Sequence, residues 1–407
     1  MEMTIVAPRM RGATMIPSAI LTLWFSGLLA LSLLAGAVYS GHEWYRRSWG
    51  WDSTAGVSVF DPEIGFNGTT ALFLAALALG LMTIAGRPLV LAWLRFTRPA
   101  TRDADPDPRS APRPDSTHEI QRPDGSRLHV ECYGMADAVP LICTHGWGLT
   151  SHEWNYLKRA VPPGHRLIVW DLPGLGRSGA SDNRDFSIVK LAGDLAAVVD
   201  FASKPAVLLG HSIGGMITLT YLGLFAPAAG RAVSKVLLAH TTHTNPVRTT
   251  SGAALLTAIQ KPVLQPLMYL TIVLSPLVRL LNWVAYANGS THLLNKSSSF
   301  AGRETWQQID FSARFQPRAS PAVLARGMLG MFHYDASGVL PTIGSPTLII
   351  AGDRDSTTKP SASEAMHEVI RGSQLLELVP AKHLGLIEHH ADFAQAVTRF
   401  CAGMEIH

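Results

Sequence analysis

Two stretches of the chain, residues 17–39 and 64–86, each run for 23 residues without a single charged side chain. At about 1.5 Å per residue, either one as a helix crosses a hydrocarbon layer of about 30 Å. The first hundred residues are therefore expected to form a membrane anchor, 1–98, with two transmembrane helices. The first segment also carries features of a cleaved leader, because Arg9 and Arg11 precede it and Ala35-Gly36-Ala37 resembles a cleavage site, although its apolar run is longer than a usual signal core. For the second segment the alternative is a buried soluble helix, which its length disfavours.

Arginines set the expected orientation. Two precede the first segment and two, Arg46 and Arg47, lie between the segments. Six follow the second: Arg87, Arg95, Arg98, Arg102, Arg109 and Arg113. An excess of arginine flanks the cytoplasmic ends of membrane helices, so the chain beyond residue 87 is expected in the cytoplasm.

At 407 residues the chain holds ample apolar content for a large core. Its net charge is +4, but only 16% of residues are charged, and no Lys/Arg-rich run with interleaved aromatics points to nucleic acid. Cys132, Cys143 and Cys401 are odd in number and widely spaced, suggesting neither a disulfide framework nor a zinc site. Neither His-x-x-x-His nor His-Glu-x-x-His occurs, so no metal or other cofactor is expected.

Residues 99–117 hold five prolines among charges and small polar residues and read as an extended linker. Beyond it, from 118 to 407, short β-branched or apolar runs alternate with helical stretches, the pattern of a mostly parallel sheet with crossover helices. Strands are expected near 127–133, 140–144, 166–170, 206–209, 235–239, 347–351 and 374–379. Residues 245–335 contain no convincing strand and read as a helical insertion. Its segment 261–289 carries only Lys261 and Arg279 as charges, and Pro262, Pro266 and Pro276 interrupt any single long helix. A third span there would place later residues across the membrane from Ser212, separating groups that must meet.

Those groups begin with GHSIGG (210–215), which places Ser212 between the apolar run 206–209 and a helical stretch from 216. That strand-turn-helix setting suits a nucleophile elbow, with Gly210 and Gly214 at positions where a Cβ would collide and Gly215 allowing helix and strand to approach. A phosphate-binding turn is the alternative, but neither Gly-Lys-Ser/Thr nor Gly-x-Gly-x-x-Gly is present. A serine hydroxyl needs a positioned base, and the base needs an acid. GDRD (352–355) and KHLGLIEH (382–389) supply Asp353, Asp355 and His383 in loops after expected strands.

With THGWGLTSHEW (144–154) and VWDLPGLGRSG (169–179), these motifs stand in the order of the α/β-hydrolase superfamily, and the chain resembles its lid-bearing esterase and lipase branch. The resemblance implies an α/β-hydrolase fold with lid at about 245–335. It also implies Ser212 as nucleophile, Asp355 as acid in preference to Asp353, His383 as general base, and an oxyanion hole from the backbone N–H of Trp147 and Ile213. Lys382 departs from the pattern, which often has glycine before the histidine.

Among the other histidines, His145 and His211 read as packing groups, His240 and His243 as pocket-lining or solvent-facing, and His389 and His390 as surface. The lid of this superfamily usually selects the substrate. Leu264, Leu267, Leu270, Leu274, Leu277 and Leu281 either line a greasy acyl site or pack the lid onto the domain, and a lid with exposed Leu, Tyr269 and Trp283 suits a membrane interface. The expected protein is a membrane-anchored serine hydrolase of hydrophobic, lipid-like carboxylic esters. Acyl transfer, hydrolysis of amides, thioesters or carbon-carbon bonds, and a non-enzymatic scaffold are the alternatives. The aspartate nucleophile of epoxide and haloalkane hydrolases is absent from the elbow. Nothing in the sequence sets the oligomeric state.

Overall fold

A computed structural model describes residues 18–62, 65, 67–97 and 106–406. Arg9, Arg11, Arg98, Arg102, the first residue of each apolar segment and the linker as far as residue 105 lie outside them.

The chain opens with a helix, Ser18–Arg47, and strands β1 (Trp49–Asp52) and β2 (Val57–Phe60), which pair antiparallel. A second apolar helix, Gly68–Ala85, packs back along the first, capped by Asn67, whose side chain accepts from the Thr70 N–H. Among the described residues this is the one unbroken helix long and apolar enough to cross a membrane. Gly86 ends it, and an amphipathic helix, Arg87–Thr97, carries the chain onto the main body, where Leu94 is fully buried.

The main body is built on eight further strands: β3 (Ser116–Gln121), β4 (Arg127–Tyr133), β5 (Val139–Thr144), β6 (His165–Trp170), β7 (Ala206–His211), β8 (Val233–Ala239), β9 (Thr347–Gly352) and β10 (Gln374–Leu378). Their spatial order is β10-β9-β8-β7-β5-β6-β4-β3. β4 runs antiparallel to both neighbours and every other pairing is parallel. β3, which the sequence reading left without a strand, alternates half-buried and exposed residues at the sheet edge. Its polar sequence STHEIQ follows directly from the proline-rich run, so it lacks the apolar signal that marks the inner strands.

Helices on both faces bury the sheet, as parallel strands require. Side chains alternate across each strand: Ile142 joins the core beneath helices Ile188–Ala202 and Ile213–Leu224, while Leu141 and Cys143 join the core beneath the C-terminal helix His390–Cys401. All three cysteines are buried and free.

Between β8 and β9 the chain builds a cap of helices. Ala253–Ile259 runs through a π turn at Gln260–Leu264 into Gln265–Val273, and the path then bends by 91° into Ser275–Ala287, which starts with Pro276. Ser290–Ser299, Trp306–Ala313 and Pro321–Met331 complete it. The cap is where the N-terminal helices dock. A Cβ on Gly27 would lie 3.2 Å from Leu281, and one on Gly86 would lie 2.6 Å from the Asn288 carbonyl oxygen. A buried carboxylate, Asp310, fixes the junction, accepting from Arg87 and from Arg314 at 2.7 Å, with His292 at 3.2 Å and Arg109 at 3.6 Å. Burial raises the Asp310 pKa, but hydrogen bonds from His292 and Arg87 and the charge of Arg314 outweigh it and hold the carboxyl below its ordinary range.

The leucines of segment 261–289 do not line the site described below. Leu264 joins the main core, Leu281 meets the N-terminal helix at Gly27, and Leu270 and Leu277 face outward.

Candidate active site

β7 ends at His211, and Ser212 turns the chain straight into the helix Ile213–Leu224. The turn leaves no room for side chains: a Cβ on Gly210 would lie 2.4 Å from Gly214 backbone atoms, and one on Gly214 only 2.2 Å from the Thr144 carbonyl oxygen. Ser212 itself sits at φ +54°, a conformation that costs a non-glycine residue about 1 to 3 kcal/mol. The surroundings hold it there. Its N–H donates to the Ala239 carbonyl at 3.0 Å, and its own carbonyl accepts from the Thr241 hydroxyl at 2.6 Å.

Opposite the serine stands His383, in the loop after β10. Its Nε2 is 3.0 Å from Ser212 Oγ and its Nδ1 is 2.8 Å from Asp355 Oδ2. With the carboxylate on Nδ1, the ring keeps its proton there and presents a lone pair to the hydroxyl. Asp355 is buried and accepts from the Thr357 and Thr358 N–H groups at 2.8 and 3.1 Å and from the Thr358 hydroxyl at 2.9 Å. Burial favours its neutral form, yet the charge and hydrogen bond of His383 and the nearby His240 imidazole, 3.5 Å away, prevail, so its pKa lies below the usual carboxylate range. Asp353, the other acid of GDRD, accepts from the Ala381 N–H at 2.8 Å and so braces the histidine loop.

Trp147 lies in the loop after β5, where its indole N–H donates to the Leu324 carbonyl at 3.0 Å. Ile213 opens the elbow helix, so its N–H is one of the first four without an intrahelical acceptor. Ser212, His383, Gly146 and Trp147 all border one cleft. The arrangement can deprotonate the serine as it attacks a carbonyl and hold the resulting imidazolium against a carboxylate.

Further buried groups brace these loops. Asp171 accepts from the Ser151 N–H at 2.6 Å and the Arg177 N–H at 2.8 Å. His145 is fixed between the Gly146 carbonyl (2.8 Å) and the Leu172 N–H (2.9 Å). Glu153 accepts from the Gly146 N–H at 2.9 Å and lies 2.5 Å from His211 Nδ1, while His211 Nε2 donates to the His383 carbonyl at 3.1 Å. Burial lowers the His211 pKa, but the Glu153 charge and the bond to the His383 carbonyl raise it overall. His240 is wholly buried 3.5 Å from Asp355, and burial lowers its pKa to about 4.

Sequence reasoning singled out neither Glu153 nor Thr358. Glu153 sits within THGWGLTSHEW, where an acid so close to the oxyanion turn was the available signal. Lys382 reaches across to the Ser297 carbonyl of the cap, which gives the unusual residue a bracing contact. His389, expected at the surface, is instead buried and donates to the Pro380 carbonyl at 2.8 Å, while His390 is half-buried and stacks on Tyr156 with ring centroids 3.8 Å apart.

Known proteins resemble this chain over the same region. It is 25% identical to the pimeloyl-[acyl-carrier protein] methyl ester esterase of Vibrio campbellii over 279 residues, 68% of this chain and 99% of that one. It is 28% identical to the protein of that name in Stenotrophomonas maltophilia over 283 residues, 68% and 97% of the two chains. Solved structures share the fold: a hydrolase from Pseudomonas aeruginosa has a TM-score of 0.57 at 22% identity, covering 70% of this chain and 98% of that one. A thermophilic esterase from Thermogutta terrifontis has a TM-score of 0.57 at 22% identity, covering 71% and 98%. Residues 139–390, which carry the elbow, the acid loop and the histidine loop, match the family model described as the alpha/beta hydrolase fold. With that match and a sheet of eight strands ordered around the Ser212 turn, the chain belongs to the α/β hydrolase fold family.

Proposed function

We propose that this protein is a membrane-anchored serine hydrolase of carboxylic esters with an apolar, lipid-like part. The observation that carries the reading is the continuous chain from Ser212 Oγ through His383 to Asp355, at 3.0 and 2.8 Å. Ser212 Oγ attacks the ester carbonyl while His383 Nε2 takes its proton, and the tetrahedral oxyanion forms beside the backbone N–H groups of Trp147 and Ile213. Each such donor contributes about 2.7 to 4 kcal/mol to lowering the barrier. The ester C–O bond then breaks, the departing alcohol takes the proton from His383, and an acyl-Ser212 remains. Water, deprotonated by His383, attacks that acyl group and releases the acid and the free serine. The relatives named as esterases support ester hydrolysis.

Support for membrane anchoring comes from the apolar helix Gly68–Ala85, about 27 Å long at 1.5 Å per residue, and from its helical partner Ser18–Arg47. Six arginines between residues 87 and 113 support a cytoplasmic catalytic domain. Trp147, Leu149, Phe315, Leu324 and Leu384 give the cleft an apolar wall for an acyl chain.

The test is fluorophosphonate labelling of the detergent-solubilised protein, comparing wild type with Ser212→Ala and His383→Ala, followed by a p-nitrophenyl ester series of rising chain length. Labelling lost in both variants, with turnover favouring long chains, is the expected result. A folded wild type that takes no label overturns the serine-hydrolase reading. Protease protection of the catalytic domain in sealed vesicles of known orientation tests the topology.

A further inference from the structure

The wall of the cleft facing the cap is not greasy. Asn295, Ser298 and Ser299, from the last turns of Ser290–Ser299, line it together with Ser312 and Gln316. No Lys, Arg, Asp or Glu borders the cleft among the described residues.

The hydrogen bonds within this wall give it a polarity. Ser298 Oγ donates to the Leu294 carbonyl at 2.8 Å, and Ser312 Oγ donates to the Ile309 carbonyl at 3.0 Å, so both hydroxyl protons are already engaged. Ser299 Oγ, 3.3 Å from Ser298 Oγ, is left to donate to it, and Asn295 Nδ2 donates to Ser312 Oγ at 3.4 Å. A hydroxyl whose proton is engaged still offers oxygen lone pairs. The hydroxyls therefore present acceptors to the cleft, and the Asn295 amide carries a second N–H, so the wall suits a ligand group that both donates and accepts, as a hydroxyl does. A phosphate or carboxylate carries acceptors alone and finds no Lys or Arg here to repay its desolvation. A methyl ester offers no donor.

Resting on the proposed serine-hydrolase reading, we infer that the site selects esters of an apolar acid with a neutral polyol, the acyl chain lying on the wall of Trp147, Phe315 and Leu324 and the free hydroxyls of the alcohol on Asn295, Ser298, Ser299 and Ser312. A site built to hydrogen-bond a substrate hydroxyl discriminates against analogues lacking it far more strongly than an apolar pocket rejects an extra methylene.

The test uses the full-length protein in detergent and one acyl chain on three alcohols: glycerol monodecanoate, methyl decanoate, and decanoyl glycerophosphate. The expected order of kcat/KM is glycerol ester at least tenfold above methyl ester, with the phosphate ester below both. Asn295→Leu and the double variant Ser298→Ala/Ser312→Ala are expected to pull the glycerol-to-methyl ratio toward one, with fluorophosphonate labelling of Ser212 retained as proof of a folded site. Equal or reversed preference in wild type, or variants that lose both esters in proportion, overturns the inference while the labelling leaves the hydrolase reading intact. Loss of labelling in wild type overturns both.

Discussion

The carboxyl edge of the sheet and the junction of the cap with the N-terminal helices are held together in opposite ways. At the sheet edge, loops from five different strands are tied to one another by polar groups: Asp171 to the Ser151 N–H, Glu153 to His211, His383 to Ser212 and Asp355, and Asp353 to the Ala381 N–H. Glycines there face carbonyl oxygens at distances no side chain tolerates. At the junction, one buried carboxylate and a few close backbone approaches anchor helices whose remaining surface is apolar and open, with Leu74, Leu81 and Ile84 on the hairpin and Tyr269, Val273 and Leu280 on the cap all exposed. Positioning a hydroxyl to within a fraction of an ångström demands directional contacts from every side. Seating one apolar surface on another needs registration at one point only.

The largest effect is expected from Asp355→Asn, which leaves the shape of the edge intact and removes the charge that fixes His383. The amide would favour the wrong histidine tautomer and leave the developing imidazolium unsupported, so kcat should fall by about 10⁴, with KM little changed. The lowered Asp355 pKa makes a second, pH-dependent expectation. A carboxyl depressed in the folded state adds stability above its unfolded pKa and loses it as pH falls toward the folded value, so the wild type should lose that increment progressively as pH drops below the ordinary aspartate range, and the variant should lack it throughout. Steady-state kinetics and thermal melts across pH check both.

Glu153→Gln should come next. Removing one partner of a buried charged pair costs about 3 to 5 kcal/mol. The sign follows from His211, whose raised pKa contributes stability that is fully present below the ordinary histidine value and is lost as pH rises through the raised one. The gap in melting temperature between wild type and variant should therefore be widest below the ordinary histidine value of 6.5 and should narrow as pH rises through the raised one. A gap independent of pH would mean that the pair is held by packing alone.

At the junction, Asp310→Ala should cost about 1.5 to 3 kcal/mol, the loss of hydrogen bonds to charged groups, since Arg87 and Arg314 remain partly exposed and can turn to water. Hydrogen exchange should quicken in the helix Arg87–Thr97 while β5 and β7 stay protected. Turnover of a water-soluble ester should change less than threefold. Equal loss of protection in the sheet would show that junction and edge unfold as one unit.

This contrast also explains what the sequence made legible. Inner strands announce themselves by apolar runs, and the strands expected at 127–133 and 347–351 lie within β4 and β9. Ser212, Asp355 and His383 come together because each follows such a strand, and strand ends of a parallel sheet share one edge. β3 was invisible because an edge strand half in water carries no apolar run. The direction of the cap leucines was equally hidden: periodicity shows that a helix has an apolar side, but not which of two partners or what solvent that side meets. The polar wall of Asn295, Ser298 and Ser299 lies in STHLLNKSSS, whose composition reads as a solvated helix until the fold turns its end toward Ser212.

The smallest structural effect, and the sharpest test of the contrast, is expected from Trp283→Phe. Trp283 is half exposed on the outer face of Ser275–Ala287, near Leu280 and Leu277. An exposed apolar substitution away from buried contacts changes stability by within about 0.5 kcal/mol, so melting in detergent should be unchanged. If this face lies in a bilayer beside Gly68–Ala85, however, brominated lipid in nanodiscs should quench Trp283, and the quenchable emission should drop in the variant even though it is one of 10 tryptophans. Unchanged quenching would place the outer face of the cap in water, leaving the hairpin alone to meet the lipid. A fall in melting temperature with unchanged quenching would mean that the face is covered by protein, and the junction would then be built more like the sheet edge than the exposed leucines suggest.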